Sequence, residues 1–252
     1  MHHKVKGIVI KETAQGESSK LLTVLTETDG VISVKAKGAR SISASNLKSV
    51  QLFACSNMLL YTKNGFYTLV DAELIEDFYA VREQIESFAL ASYCCEVAGS
   101  VAIRDSDNSA VLQLLLNTLY VISKSLISVK LAKAVFEFRL ACILGFDPEM
   151  NYCEECEKPL DSVKERVFVP ENGVFMCSEC SSDAFSYEAK IYTVSQSLFD
   201  AFKYILTAKS GKIFSFSVND KALGELVELS EIYLHLRLEK KYKTLDFLKS
   251  LS

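Results

Sequence analysis

Two C-x-x-C pairs constrain this chain more than any other feature: Cys153-Glu-Glu-Cys156 and Cys177-Ser-Glu-Cys180, separated by 20 residues. A tetrahedral zinc ion takes four ligands at about 2.3 Å, and each C-x-x-C turn offers two thiolates from one tight knuckle. The intervening VFVPENGVFM, with Asn172-Gly173 at its middle, reads as a small hairpin that folds the second knuckle back onto the first. The spacing predicts one structural Zn2+ per chain, held by Cys153, Cys156, Cys177 and Cys180. Four cysteine ligands leave no position for water, so catalysis by the metal is not expected. A thioredoxin-like redox pair would open a helix in a βαβ setting, which the flanks do not offer. Disulfides fit poorly with a reducing compartment. The zinc deaminases need an H-x-E element upstream, and none of His2, His3 and His235 begins one. Cys55, Cys94, Cys95 and Cys142 lie in apolar contexts and read as small buried hydrophobes.

The chain has 252 residues, 49% hydrophobic and 24% charged, which is ordinary globular composition for one large domain or two to three small ones. No apolar run approaches the roughly 18 residues of a membrane span. The start, MHHKVKGIVIKET, turns charged within a few residues and lacks the apolar core of a signal peptide. A cytoplasmic protein without a membrane partner is expected, with His2 and His3 read as a flexible end without a role.

Four segments follow from the periodicity. Residues 1–75 alternate like short strands, with hairpin signals at Asp29-Gly30 and Lys63-Asn64-Gly65; about five strands predict a small barrel, of OB or SH3-like type. Residues 76–146 show three- and four-residue steps, as in Phe78, Val81, Ile85 and Phe88, then Val111, Leu114, Leu115 and Leu119, then Leu131–Leu144. They predict a helical cluster ending at Gly145, with Asp105-Ser106-Asp107-Asn108 as a polar break. Residues 147–181 contain all three prolines, at 148, 159 and 170, and form the zinc-finger insertion. Helices resume over 182–252, with Thr193 and Gln196 as a capping box and an amphipathic stretch from Asp220 to Lys241.

The chain lacks G-x-G-x-x-G, a Walker-type loop, G-x-S-x-G and H-E-x-x-H, so no catalytic residue is assigned and a non-enzyme is expected. The net charge of −4 hides an uneven distribution: residues 1–50 hold eight basic residues against four acidic ones. Lys35, Lys37 and Arg40 follow the third strand in VKAKGARSIS, and Lys20 and Lys48 are placed near them. Alternation puts Lys35 and Lys37 on one face, Val34 and Ala36 on the other. A cationic barrel face suits single-stranded nucleic acid; lysines that keep a strand edge solvated give the same pattern.

The segments G7-I-V-I-K, G16-E-S-S-K-L-L-T-V-L-T-E-T-D-G30 and A36-K-G-A-R40 resemble the N-terminal barrel of the RecO family of recombination mediators. F136-E-F-R-L-A-C-I-L-G-F-D-P148, the two cysteine pairs and K243-T-L-D-F-L continue the resemblance in order along nearly the whole chain. It implies an α+β multidomain protein: an N-terminal OB-fold and a helical C-terminal domain with an inserted four-cysteine zinc finger. It implies DNA repair, binding of single- and double-stranded DNA, annealing of strands coated with single-strand-binding protein and, with RecR, loading of RecA, in a nucleoid-associated setting. Carried over by position, Lys35, Lys37 and Arg40 become phosphate contacts. The family often has further basic residues after G-A-R, whereas Ser41–Ser45 are neutral here; a second group, Arg237, Lys240, Lys241 and Lys243, is expected to share the DNA load. Lys130, Lys133 and Arg139 become candidates for the acidic, Phe-ending tail of single-strand-binding protein. The alternative function is a zinc-ribbon module that acts through proteins without direct DNA binding.

Overall fold

A computed structural model describes residues 1–37, 44–184 and 190–251. Arg40 therefore lies outside the described residues. Five strands, β1 (His2–Gln15), β2 (Ser19–Thr26), β3 (Val31–Ala36), β4 (Cys55–Lys63) and β5 (Phe66–Glu76), close into a barrel in the order β1-β2-β3-β5-β4. Helix α1 (Ala44–Ser49) links β3 to β4. Strand β1 is long enough to pair with β2 through its second half and with β4 through its first. The barrel closes through a short parallel pairing, Val34 with Tyr67 and Lys35 with Thr68. This strand order is the five-stranded Greek key of the OB barrel, and it decides between the two barrel types that periodicity leaves open. Alternation fills the interior: Val5, Val9, Leu22, Val24, Ile32, Val34, Ala36, Met58, Leu60 and Ala72 form one cluster, with Val50 closing it after α1.

His2 and His3 are not a loose end. They open β1, pair with Tyr61 and Leu60, and His3 places its ring nitrogens 3.2 Å from Asp29 and 3.3 Å from Thr62.

After the barrel, a 3-10 turn at Tyr79–Arg82 precedes α2 (Ile85–Val101) and α3 (Ser109–Ser123). The polar break between them ties the loop to the helix start: Asn108 accepts from the Ile103 amide and donates to its carbonyl, without capping α3, and Asp107 accepts from the Ser109 amide. Next come α4 (Val129–Ile143), β6 (Arg166–Val169), β7 (Val174–Cys177), α5 (Ser178–Ala184), β8 (Tyr192–Val194), α6 (Gln196–Thr207), α7 (Asp220–Leu238) and α8 (Lys243–Lys249).

By contact the chain divides into two compact units, Met1–Leu126 with Tyr242–Ser252, and Ile127–Lys241. In the first unit, α2 and α3 pack with the barrel strands, and α8 returns from the end of the chain onto α2. Tyr242 is buried there, its ring edge-on to Tyr93 and its hydroxyl 2.8 Å from Ser100. The hairpin of segment 147–181 is part of a three-stranded sheet. Strand β8 joins its hairpin in the order β7-β6-β8, with Val167 opposite Thr193. Thr193, expected to cap a helix, is a strand residue. Ser195 caps α6 instead, its hydroxyl accepting from the Leu198 amide.

Candidate metal centre and nucleic-acid interface

Each knuckle is built by its backbone. In the first, the Cys153 amide donates to the Lys158 carbonyl and the Glu157 amide returns to the Cys153 carbonyl, both at 2.9 Å. In the second, β7 ends on Cys177 and α5 begins at once, presenting Cys180 from its first turn. The four Sγ atoms lie within 4.8 Å of one another. Cys177 Sγ is 3.7 Å from both Cys153 Sγ and Cys156 Sγ. Four sulfurs at about 2.3 Å from a common centre stand about 3.8 Å apart in a regular tetrahedron. The cluster thus has the size and donor set of a single tetrahedral ion, and its four residues could hold a metal.

Burial opposes ionisation of Cys153, but amides around it, from Cys156, Cys177 and Glu155, outweigh that and bring its thiol down to about 6. Hydrogen bonding to Cys177 and Cys156 pushes Cys180 upward. Three further cysteines have the raised values of inert thiols: burial pushes Cys55 to about 11 and Cys142 to about 12, and Cys95 upward as well.

The cluster anchors a wider framework that sequence reading misses. Arg166, opposite Cys177 in the hairpin, is buried and donates to the Leu160 and Asp161 carbonyls, with its guanidinium 4.7 Å from the Phe199 ring. Phe168 and Phe175 stack at 4.3 Å and meet Phe199 and Phe202 of α6 and Tyr233 of α7. Arg237 completes the framework. Its guanidinium donates to the Glu171 and Pro170 carbonyls at the hairpin turn and lies 4.8 Å over the Tyr233 ring. Its position fits a strut for the hairpin.

Two of the three residues expected to meet a partner tail are engaged inside their own unit. Lys133 donates to Glu137 and Glu231, both at 2.8 Å, and its side chain is only 7% exposed while that of Glu137 is fully buried. Burial alone would lower this ammonium, but the two carboxylates outweigh it and hold it above its ordinary value. Arg139 donates to the Ile205 and Leu206 carbonyls at the end of α6, where a cation satisfies free carbonyls and the helix dipole together. Lys130 is exposed at the start of α4.

On the barrel, Lys35 is half-buried and Lys37 exposed, beside inward Val34 and Ala36, as alternation predicts. Lys20 differs. It pairs with Ala36 across the ladder, so it belongs to the inward row at the barrel rim, where its ammonium is 2.9 Å from Glu12. Lys48 is exposed on α1, Lys240 and Lys241 are exposed just after α7, and Lys243 is exposed at the first position of α8. Lys133 and Glu137, four apart on one helix, are a readable signal in the sequence; Glu231, 98 residues away, is not.

Comparison with known proteins covers almost the whole chain. The family model described as Recombination protein O N terminal matches residues 1–78, and Recombination protein O C terminal matches residues 82–246. A DNA repair protein RecO of Acetivibrio thermocellus is 33% identical over 248 residues, 98% of this chain and 96% of that protein. The protein of the same name from Dehalococcoides mccartyi is 28% identical, over 99% and 96%. That of Clostridium acetobutylicum is 22% identical, over 97% and 96%.

Two outcomes are expected. Carefully reduced protein should carry about one metal ion per chain, and Cys177→Ser should lose most of it and destabilise the β6–β7 hairpin, because site and local fold form together. Elemental analysis with hydrogen exchange of the hairpin checks this; metal-free protein with a protected hairpin contradicts it. Lys133→Met should cost about 3–5 kcal/mol, since it leaves Glu137 buried without its cation. Urea unfolding at neutral pH reads this loss. Because Lys133 titrates above its ordinary 10.5 in the fold, its contribution is complete at neutral pH and fades only as pH rises through that elevated value.

Proposed function

The chain belongs to the RecO family, and from that premise we propose that it is a DNA-binding recombination mediator whose barrel holds the phosphate backbone. In this reading it binds single- and double-stranded DNA and anneals complementary strands coated with single-strand-binding protein. With RecR it helps to load RecA. It works in the cytoplasm at the nucleoid and performs no covalent chemistry. The observation that carries the proposal is the closed five-stranded barrel with Lys35 and Lys37 on its outer side, in a chain that matches the family through both halves. Lys35, Lys37 and Arg40 contact phosphates, and Lys48, Lys240, Lys241 and Lys243 are further phosphate contacts in this reading.

The metal in this reading is Zn2+. An all-thiolate tetrahedral set is the common structural zinc site. When bound, the ion supplies a crosslink between the knuckles and no reactive water. Lys130 is the exposed candidate for the acidic tail of single-strand-binding protein. Lys133 and Arg139 serve that surface by holding α4 against α7 and α6. Arg237, which also braces the hairpin turn, and Lys20, at the rim beside Glu12, complete the set of proposed phosphate contacts.

Salt titration of oligonucleotide binding tests the proposal. Each phosphate contact releases condensed counterions, so Lys35→Ala/Lys37→Ala/Arg40→Ala should flatten the slope of log affinity against log salt by roughly 0.7 per contact for single strands. The weakening should be alike for all sequences, since phosphates carry no base information. A folded triple variant with wild-type affinity and slope would remove this strand from the interface. Absence of any salt-dependent binding by the wild-type protein would favour the zinc-ribbon module that acts through proteins alone.

A further inference from the structure

The ladder register of the barrel places a second set of side chains beside Lys35. Strand β5 sends Tyr67 and Leu69 against the core, so Phe66, Thr68 and Val70 belong to the outer row. Phe66 is 76% exposed and Val70 51%. Across the ladder, Phe66 faces Lys63 and Thr68 faces Tyr61. On the other side Thr68 faces Lys35, which in turn faces Leu21. One outer rung therefore runs Leu21, Lys35, Thr68, Tyr61, His2, and the next carries Lys63 and Phe66 at the barrel end. Tyr61 is 38% exposed, with the His2 ring 5.2 Å away.

The turn fixes this geometry. Asn64 has φ 52° and Gly65 φ 77°, left-handed values at both central positions of a two-residue hairpin loop, the pairing that matches strand twist. Phe66 is thus held at the last rung by backbone and not by packing. Tyr61 and Lys35 lie two strand spacings apart, roughly 10 Å. The patch has a boundary: further along the same two strands, Asp71 faces Leu59 and Glu73 faces Asn57, where Lys4 and Lys6 add mixed charge. The end that carries Phe66 and Tyr61 has lysines beside its rings and no acid in either rung.

We infer that this outer face is a stacking platform for unpaired bases, with Tyr61 and Phe66 as the stacking rings and Lys35 and Lys63 as the phosphate contacts beside them. The inference rests on the DNA-binding reading above and adds to it a preference for single strands. A ring can accept the face of a base only where that face is not already stacked in a duplex, and such stacking tolerates any sequence. The lysines alone would favour any polyanion; the rings make the distinction. Thr68 and Val70, between them, are small and uncharged.

The experiment uses the full-length protein, a labelled oligothymidylate and a labelled duplex of equal length. Phe66→Ala and Tyr61→Ala should each weaken single-strand binding by roughly tenfold, with duplex binding and the salt slope unchanged. Phe66→Tyr should retain binding, and unchanged thermal unfolding should confirm that the exposed ring is not needed for the fold. Lys63→Ala should instead flatten the salt slope. Wild-type single-strand affinity in both ring variants would overturn the inference while leaving DNA binding by the lysines intact. Equal losses on single strand and duplex would also overturn it, since stacking cannot act on a closed duplex. If the wild-type protein binds neither probe, the DNA-binding reading fails, and the platform fails with it.

Discussion

Convergence of four sulfurs within 4.8 Å is the constraint on which the unit Ile127–Lys241 depends. Strands β6, β7 and β8 have four, four and three residues, and a sheet that small holds poorly in water without further support. The knuckles supply it. They tie the segment before β6 to the end of β7, so that Phe168 and Phe175 meet the aromatic faces of α6 and α7 as one stacked pair. Arg166 and Arg237 then satisfy carbonyls at opposite ends of the same hairpin. A metal held by these two turns would act on folding, through the crosslink between them.

The cations divide into two kinds that composition cannot separate. Lys133, Arg139, Arg166 and Arg237 have their charges answered within their own unit. Removing one partner of such a pair leaves a desolvated group behind, which is costly. Lys37, Lys63, Lys130 and Lys241 keep their side chains at the surface, where long-range attraction to a polyanion costs little desolvation. The same residue type therefore answers to stability in one place and is free to meet solvent in another. A charge map drawn from sequence alone merges the two.

Much of this is legible in the chain itself. Cysteine spacing identifies all four members of the cluster, because two short loops and a hairpin leave little freedom in where the sulfurs can go. Alternation and the Asp29-Gly30 and Asn64-Gly65 turns locate the barrel strands, since period and turn chemistry are local properties. The strand order is not legible: OB and SH3-like barrels share the local pattern and differ in the long-range pairing of β3 with β5. Strand β8, three residues long, escapes for the same reason, and the cap expected at Thr193 falls to Ser195 because Thr193 pairs with Val167. Grouping α2, α3 and α8 with the barrel needs contacts across more than a hundred residues, such as Ser100 with Tyr242.

The proposed function of this chain is to bring complementary DNA strands together. The most direct measurement is the rate at which complementary strands, each saturated with single-strand-binding protein, form duplex with and without the full-length protein. Wild-type protein should accelerate annealing well above the protein-free rate, and added salt should suppress the acceleration as phosphate contacts are screened. An annealing rate that stays at the protein-free level across salt, from folded and metal-loaded protein, would contradict it.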